Sequence, residues 1–164
     1  MSRSIFSVNR LQFAGLLTVL LVLQGCATLP SRQVMQSETQ GFVLPKTPES
    51  GRAMVYVVRP SGLGGLVRFN VYVDDQKPES EMGYTRGGQY IFFNVKPGTR
   101  KIQSLAENWS EWIIDVKAGE IVFIQQEPSI GLIMARNSIF KIDEIQGKYH
   151  VKTLQLGTIL RMEK

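Results

Sequence analysis

Short runs of β-branched and aromatic residues, separated by Gly, Pro and Asp, fill the chain after residue 51. Residues 53–59 are apolar on both faces, which is typical of a strand in the middle of a sheet. Residues 69–73 and 89–95 place apolar side chains at every second position, as a half-buried strand does. Four further strands are predicted at residues 100–106, 112–117, 121–127 and 138–145. About seven short strands without a long helical pattern predict an all-β fold, an antiparallel β-sandwich.

Two tight turns separate the later strands. Residues 96–99 (Lys-Pro-Gly-Thr) carry the proline and glycine that a type II turn requires, and residues 117–120 (Lys-Ala-Gly-Glu) predict a second turn. Residues 129–135 have no clean period, and the tail after Gly147 fits either a short helix or a strand. We favour a short helix near residues 148–154.

The first 25 residues differ from the rest. The first residues include Arg3 and Arg10 and no acidic residue, and an apolar run follows at 13–23. This order is typical of a secretory signal peptide. The run is too short for a membrane-spanning helix, which needs about 20 apolar residues. Residues 1–25 are therefore predicted to be removed and to take no part in the fold.

The signal ends in Leu23-Gln24-Gly25-Cys26, which resembles the lipobox of bacterial lipoproteins. The resemblance implies cleavage before Cys26, a diacylated thiol and an acylated new amino terminus, with fatty acids such as palmitate. Several acyl chains hold a protein on a membrane firmly, whereas one holds it marginally. An ordinary signal peptide followed by an unrelated cysteine is the alternative. Because the chain has one cysteine, no disulfide is predicted, and no cofactor apart from the covalent lipid.

The residues behind the cysteine bear on the choice of membrane. Ala27 and Thr28 follow it, and no aspartate is present there. In Gram-negative lipoproteins an aspartate at that position retains the protein in the inner membrane, so the resemblance implies the outer membrane, with the domain facing the periplasm. In a Gram-positive source the same anchor would place the domain outside the plasma membrane.

Residues 26–50 are polar, contain three prolines and lack a sustained period of 2 or 3.6. Such a composition is typical of a flexible tether, although residues 41–44 are apolar enough to pack onto a domain. The predicted organisation is a signal peptide at 1–25, an acylated cysteine and tether at 26–50, and a β-sandwich domain at 51–164.

Four short motifs resemble, in their order, those of small bacterial lipoproteins with the domain of unknown function 2846. They are a strand ending in Tyr-x-x-Arg-Pro at 51–60, Val-Tyr-Val-Asp at 71–74, Gly-Gln-Tyr at 88–90 with Pro-Gly at 97–98, and Ala-Gly at 118–119. Where that family often has histidine, this chain has Arg100. The resemblance implies a transthyretin-like or Ig-like sandwich on a lipid anchor, and it implies no reaction.

No catalytic residue and no metal ligand is predicted. His150 is the single histidine and is predicted to lie on the surface, without a serine and carboxylate that the sequence ties to it. Asp143 and Glu144 are adjacent on a predicted strand, so their side chains would point to opposite faces. The sequence therefore favours a protein that is not an enzyme.

Charge and glycine patterns exclude two other classes. The net charge of +5 is scattered without a block of like charge, so nucleic acid is not a predicted partner. The glycine-rich residues 61–66 lead into a strand rather than a helix, which excludes a phosphate-binding loop. We interpret them as a mobile connector, which is also a candidate contact surface because flexible loops often carry function.

Two groups of apolar residues are candidates for contact with a ligand or partner. Trp109 and Trp112 are placed in a turn, where they would either close the end of the sandwich or stack on a sugar or a protein. The second group lies in the apolar stretch of residues 128–135. This stretch is either an exposed patch, or a strand or buried crossover. Its candidate residues are Ile130, Leu132, Ile133 and Met134.

The sequence thus predicts an outer-membrane-anchored periplasmic lipoprotein with a non-catalytic β-sandwich module that binds an envelope protein. The alternative is a glycan-binding or peptidoglycan-binding lipoprotein that uses Trp109 and Trp112. A sugar site needs an exposed tryptophan face beside polar side chains, whereas a protein interface needs a contiguous apolar surface.

Overall fold

A computed structural model describes residues 29–164 of the chain. The predicted signal peptide, Leu23, Gln24, Gly25 and the predicted acylation site Cys26 lie outside the described residues.

The described chain contains two α-helices, one 3-10 turn and ten strands. The helices are α1 (Arg32–Glu38) and α2 (Glu144–Thr153), and the 3-10 turn is Pro78–Ser80. The strands are β1 (Ala53–Arg59), β2 (Phe69–Val73), β3 (Glu81–Thr85), β4 (Gln89–Val95), β5 (Gly98–Leu105), β6 (Trp109–Val116), β7 (Ile121–Ile130), β8 (Ala135–Ile142), β9 (Gln155–Leu156) and β10 (Thr158–Ile159).

These strands form two five-stranded sheets that pack face to face, so the predicted β-sandwich is confirmed. Sheet A has the order β8-β7-β1-β4-β9, and sheet B has the order β10-β3-β2-β5-β6. The pairing differs from the purely antiparallel prediction, because β1 lies parallel to β7 and β4 lies parallel to β9. Five strands, four of them in sheet B, separate β1 from β7 along the chain, and a connection of this length allows the parallel pairing that a hairpin does not.

The main core lies between the two sheets. In sheet A, Val55 lies opposite Phe93 and Val122, and all three side chains are buried. In sheet B, Val71 and Ile102 lie on the inward face and are also buried. The alternation of the sequence supplies these positions, because every second side chain of a strand points to the same face.

A second apolar cluster covers the outer face of sheet A. It contains Met54, Tyr56 and Val58 from β1, together with Phe123 and the helix residue Val151. Strand β1 is therefore buried on both faces, as its sequence predicted.

The segment before β1 is part of the same compact unit as the sandwich, which extends from Ser31 to Lys164. Ser31 caps α1 by accepting a hydrogen bond from Val34 N, and Met35 of this helix is buried. Leu44 joins the second apolar cluster. The predicted tether extended to residue 50, whereas the structure packs residues 31–50 against the domain. Single apolar residues, Met35 and Leu44, hold this segment through contacts that are distant in sequence. It therefore shows no hydrophobic period from which the sequence could predict its packing.

The carboxyl-terminal region contains the predicted short helix, with different bounds. Asp143 caps α2 by accepting a hydrogen bond from Gln146 N at 3.0 Å, so β8 ends at Ile142 rather than at residue 145. Asp143 and Glu144 are therefore the start of a helix and not adjacent strand residues. In the described part of the chain, no helix is long and apolar enough to cross a membrane.

Strand β3 was missed by the pattern because Gly83 interrupts it. Gly83 has a φ of +152°, and a side chain there would collide with the backbone of Thr158 on β10. The glycine allows the short edge strand β10 to approach β3 closely.

Candidate functional site

Two loops meet at one end of the sandwich. Because β1 and β7 are parallel, Arg59 and Ile130 end their strands at the same edge of sheet A. The loop of residues 60–68 follows β1, and the loop of residues 131–134 follows β7. A Cβ atom on Gly64 would lie 2.6 Å from the Cβ of Ala135, so the two loops touch where only glycine fits.

These loops and the last residue of β7 expose six large apolar side chains, which we call the apolar tip. Their exposed fractions are 49% for Leu63, 91% for Leu66, 86% for Ile130, 95% for Leu132, 91% for Ile133 and 48% for Met134. The sequence left open whether residues 130–134 were an exposed patch or a strand or buried crossover. The structure places Ile130 at the end of β7 and the other three candidates in an exposed loop.

The carboxylate of Glu107 holds the loop of residues 131–134. It accepts hydrogen bonds from the backbone N–H groups of Leu132 at 3.0 Å, Ile133 at 2.9 Å and Met134 at 2.7 Å. These backbone donors, with a smaller contribution from Arg136, lower the pKa of Glu107 to about 2. The loop is thus anchored by an ionised group while its apolar side chains face outward.

The guanidinium of Arg59 holds the other loop. Its side chain is fully buried and donates to the carbonyl oxygens of Leu63 at 3.0 Å, Gly64 at 2.9 Å and Val67 at 2.7 Å. Its central carbon lies 3.6 Å from the centroid of the Phe69 ring, a cation–π contact. Burial lowers the pKa of Arg59 to about 10. Residues 61–66, the predicted mobile connector, accept two of these three hydrogen bonds, through the carbonyl oxygens of Leu63 and Gly64.

The two tryptophans lie on strand β6 rather than in the predicted turn. Trp109 lies opposite Leu105 on the outer face of sheet B, and its ring centroid is 5.2 Å from that of Tyr72. Trp112 lies opposite Ile102, a core residue, and therefore on the other face of the strand. The exposed fractions are 39% and 40%, but the two rings do not share a surface.

His150 is buried, contrary to the predicted surface position. It lies on the buried side of α2 and is 3% exposed, and burial lowers its pKa to about 4. Its Nε2 lies 3.4 Å from Gln146 Nε2, and Gln146 donates in turn to Gln125. This arrangement holds a neutral imidazole in the interior, because the charged form would lose its hydration.

The described residues do not contain a group of three metal-ligating side chains. Asp74 forms an ion pair with Arg100 at 2.9 Å, and Asp143 forms one with Arg32 at 2.6 Å. A pocket of about 630 Å³ lies between α1 and α2, and seven of its eight lining residues are polar or charged, three of them glutamines. The carboxylates of Asp74 and Asp143 therefore act in a turn and in a helix cap, respectively.

Sequence reasoning identified four of the six residues of the apolar tip and missed the other two, Leu63 and Leu66. Leu63 and Leu66 were not singled out, because isolated leucines in a glycine-rich loop carry no signal of their own. Arg59 does carry a signal in the sequence, because it belongs to the Tyr-x-x-Arg-Pro motif and ends a strand that is predicted to be buried. An arginine in such a position needs hydrogen-bond partners. Glu107 has no such signal, since its partners lie 25 to 27 residues away.

The described chain is thus a β-sandwich with an ordered apolar tip at one end. It belongs to the DUF2846 family of proteins of unknown function, whose model matches residues 49–139, more than half of the chain. An uncharacterized protein of Haemophilus influenzae is 26% identical over 145 residues, which cover 88% of this chain and 83% of the relative. No solved structure matches the chain significantly.

Proposed function

We propose that the protein is a lipoprotein, anchored through Cys26 in the outer membrane and facing the periplasm, whose sandwich is a non-catalytic module that binds an envelope protein. The observation that carries the proposal is the apolar tip. Contiguous exposed apolar side chains on a folded domain usually mark an interface.

The physical properties of the tip suit a binding surface. Burial of a leucine or isoleucine side chain contributes about 1.5–3 kcal/mol, and Leu66, Leu132 and Ile133 are each more than nine-tenths exposed. Glu107 and Arg59 already order the backbone of both loops, so a partner would lose little binding energy to loop ordering.

The direction of the tip favours a partner in the periplasm over the anchoring membrane. Arg32 of α1 pairs with Asp143, which follows the last residue of β8. Strand β8 begins beside the tip at Ala135 and has eight residues, so its far end lies about 24 Å away. The chain therefore enters the domain at the end opposite the tip. Cys26 precedes Ser31 by five residues, a span of at most about 18 Å.

The anchor is tested by membrane fractionation of the wild type and Cys26→Ala, with the intact mass of the mature amino terminus. We expect a triacylated Cys26 in the outer-membrane fraction and a soluble, unacylated variant. An unacylated wild-type protein in the soluble fraction would refute the anchor and leave the tip to be interpreted without a membrane.

The tip is tested by placing a photocrosslinking amino acid at Leu132 in living cells. Val43 is the matched control position, because it is apolar and 78% exposed but lies outside the tip. We expect one discrete adduct from position 132 that is absent from position 43 and is lost when Leu66 and Ile133 are changed to serine. The same adducts from both positions would refute a specific interface at the tip.

A further inference from the structure

The two sheets differ in what covers their outer faces. Helix α2 packs on β1 and β7 of sheet A, whereas neither described helix makes an extensive contact with sheet B. The outer face of sheet B nevertheless carries aromatic side chains, among them Tyr72, Tyr84 and Trp109. This face is independent of the apolar tip and calls for a separate explanation.

The strand register places these aromatic residues on one surface. Tyr84, Asn70, Leu105 and Trp109 lie opposite one another in a single row across β3, β2, β5 and β6. Neighbouring strands are about 4.8 Å apart, so Tyr84 and Trp109 are separated by about 14 Å. The row is long enough for several units of an extended ligand.

The contact between Tyr72 and Trp109 crosses β5, because that strand lies between β2 and β6. Gln103 of β5 lies opposite Tyr72 and is only 3% exposed, although it belongs to the outer face. Its Oε1 atom has no hydrogen-bond partner among the described residues. Because this oxygen is buried, a bound hydroxyl group reaches it only if the rings of Tyr72 and Trp109 move apart on binding.

Further polar groups surround the aromatic pair. The carboxylate of Glu81 accepts hydrogen bonds from Asn70 Nδ2 at 2.6 Å and from the Tyr72 hydroxyl at 3.4 Å. Lys101 and Glu111 pair at 3.4 Å on the other side of Tyr72. Aromatic rings interleaved with amides and carboxylates match a ligand with apolar C–H faces and many hydroxyl groups.

The Tyr84 end of the row is positively charged. The guanidinium carbon of Arg68 lies 4.5 Å from the centroid of the Tyr84 ring, and that of Arg86 lies 5.7 Å away. Neither arginine forms an ion pair with a carboxylate in the described part of the chain. Two such guanidiniums held on one ring suit an acidic group of the ligand.

We propose that the outer face of sheet B binds a polysaccharide of pyranose units that carries acidic groups. One sugar ring stacks on Trp109, and the carboxylate of Glu81 binds a hydroxyl group of the sugar. Arg68 and Arg86 bind a carboxylate or phosphate about 14 Å away. Trp112 takes no part, because it lies on the opposite face of β6.

The binding test uses the full chain, purified in detergent, and three probes: peptidoglycan sacculi, lipopolysaccharide micelles and chitin beads. Sacculi carry carboxylates, lipopolysaccharide carries phosphates and chitin is neutral. We expect retention on one of the two acidic glycans, which identifies the source, and roughly tenfold weaker retention on chitin. Failure to bind either acidic glycan, or equal retention on chitin, would overturn the proposal.

The two tryptophans provide a matched pair of variants. Trp109→Ala should weaken binding roughly tenfold, whereas Trp112→Ala, which removes a ring of equal exposure from the same strand, should stay within about twofold. Equal losses in both variants would overturn the assignment of Trp109.

A fluorescence measurement keeps the test decisive if Trp109→Ala does not fold. Trp112→Phe leaves Trp109 as the one tryptophan of the chain. Stacking of a sugar on Trp109 should shift its emission on addition of the glycan that is retained. An unchanged emission spectrum at saturating glycan would overturn stacking at this residue. Leu132→Ser should bind the glycan like the wild type, since the tip is a different surface.

Discussion

Asn108 and Asn137 exchange three hydrogen bonds between the two sheets. Asn108 Nδ2 donates to the Asn137 carbonyl oxygen at 2.9 Å, and Asn137 N donates to Asn108 Oδ1 at 2.8 Å. Asn137 Nδ2 donates in return to the Asn108 carbonyl oxygen at 2.9 Å. Asn137 lies in β8 of sheet A, and Asn108 directly precedes β6 of sheet B. The pair therefore joins the edges of both sheets beside the apolar tip.

Removal of this side chain should destabilise the sandwich. Asn108→Ala leaves the buried backbone N–H and carbonyl oxygen of Asn137 without partners, and each such group costs about 1–3 kcal/mol. We expect the free energy of unfolding to fall by about 2–4 kcal/mol in urea titrations. Asn108→Asp keeps the acceptor and loses the donor, so its loss should be smaller. A change below about 0.5 kcal/mol in Asn108→Ala would show that water replaces both bonds.

The order of the loop at residues 131–134 should depend on the charge of Glu107. Its pKa is about 2 in the folded protein and ordinarily 4.5, so the carboxylate stabilises the loop above pH 4.5 and loses this effect as the pH falls toward 2. We expect the amide protons of Leu132, Ile133 and Met134 to lose protection from hydrogen exchange over that range.

Glu107→Gln is the matched control for this prediction. The amide keeps one acceptor oxygen but cannot be ionised, so those three amides should exchange faster at neutral pH and show no further acid-dependent step. An acid-dependent loss of protection that is identical in the variant would assign the titration to another group.

His150 should make the domain less stable in mild acid. Its pKa is lowered to about 4 in the folded protein, whereas the unfolded chain takes up the proton near the ordinary value of 6.5. Between these values the unfolded state binds more protons, so stability falls as the pH decreases from 6.5 to 4. We expect a loss of roughly 1 kcal/mol per pH unit in denaturant titrations.

The comparison variant is His150→Gln, which fills a similar volume without titrating. The difference in unfolding free energy between this variant and the wild type should change over pH 6.5 to 4, because other groups contribute to both proteins alike. A constant difference would mean that His150 is protonated equally in both states.

Gly147 should resist a substitution that usually stabilises a helix. In an exposed helix, alanine is favoured over glycine by about 1 kcal/mol. Here a Cβ atom on Gly147 would overlap the ring of Phe123 below α2. We expect Gly147→Ala to lower the melting temperature and to cost about 1–3 kcal/mol. The double variant Gly147→Ala, Phe123→Leu should recover part of the loss, and failure to do so would place the strain elsewhere.

The alternating pattern predicted most of the strands and the sandwich, because a strand must direct every second side chain to the core. The same pattern predicted the position of β1 in the middle of its sheet, since Met54, Tyr56 and Val58 could be apolar only if a second layer covered them. Short elements such as β9 and β10 carry too few residues for a period to be detected.

The arrangement of the apolar tip was decided by contacts between distant parts of the chain. Its sequence contained Leu66 and Leu132, but the contact between their two loops, at Gly64 and Ala135, follows from the parallel pairing of β1 with β7. Their exposure depends on Glu107 and Arg59, which bind loop backbone through tertiary contacts. In the same way, β6 as a strand separates Trp109 from Trp112, whereas a turn would have allowed them to share a surface. Local sequence sets which face a side chain takes along its own strand, and only the packed fold sets which faces and loops meet.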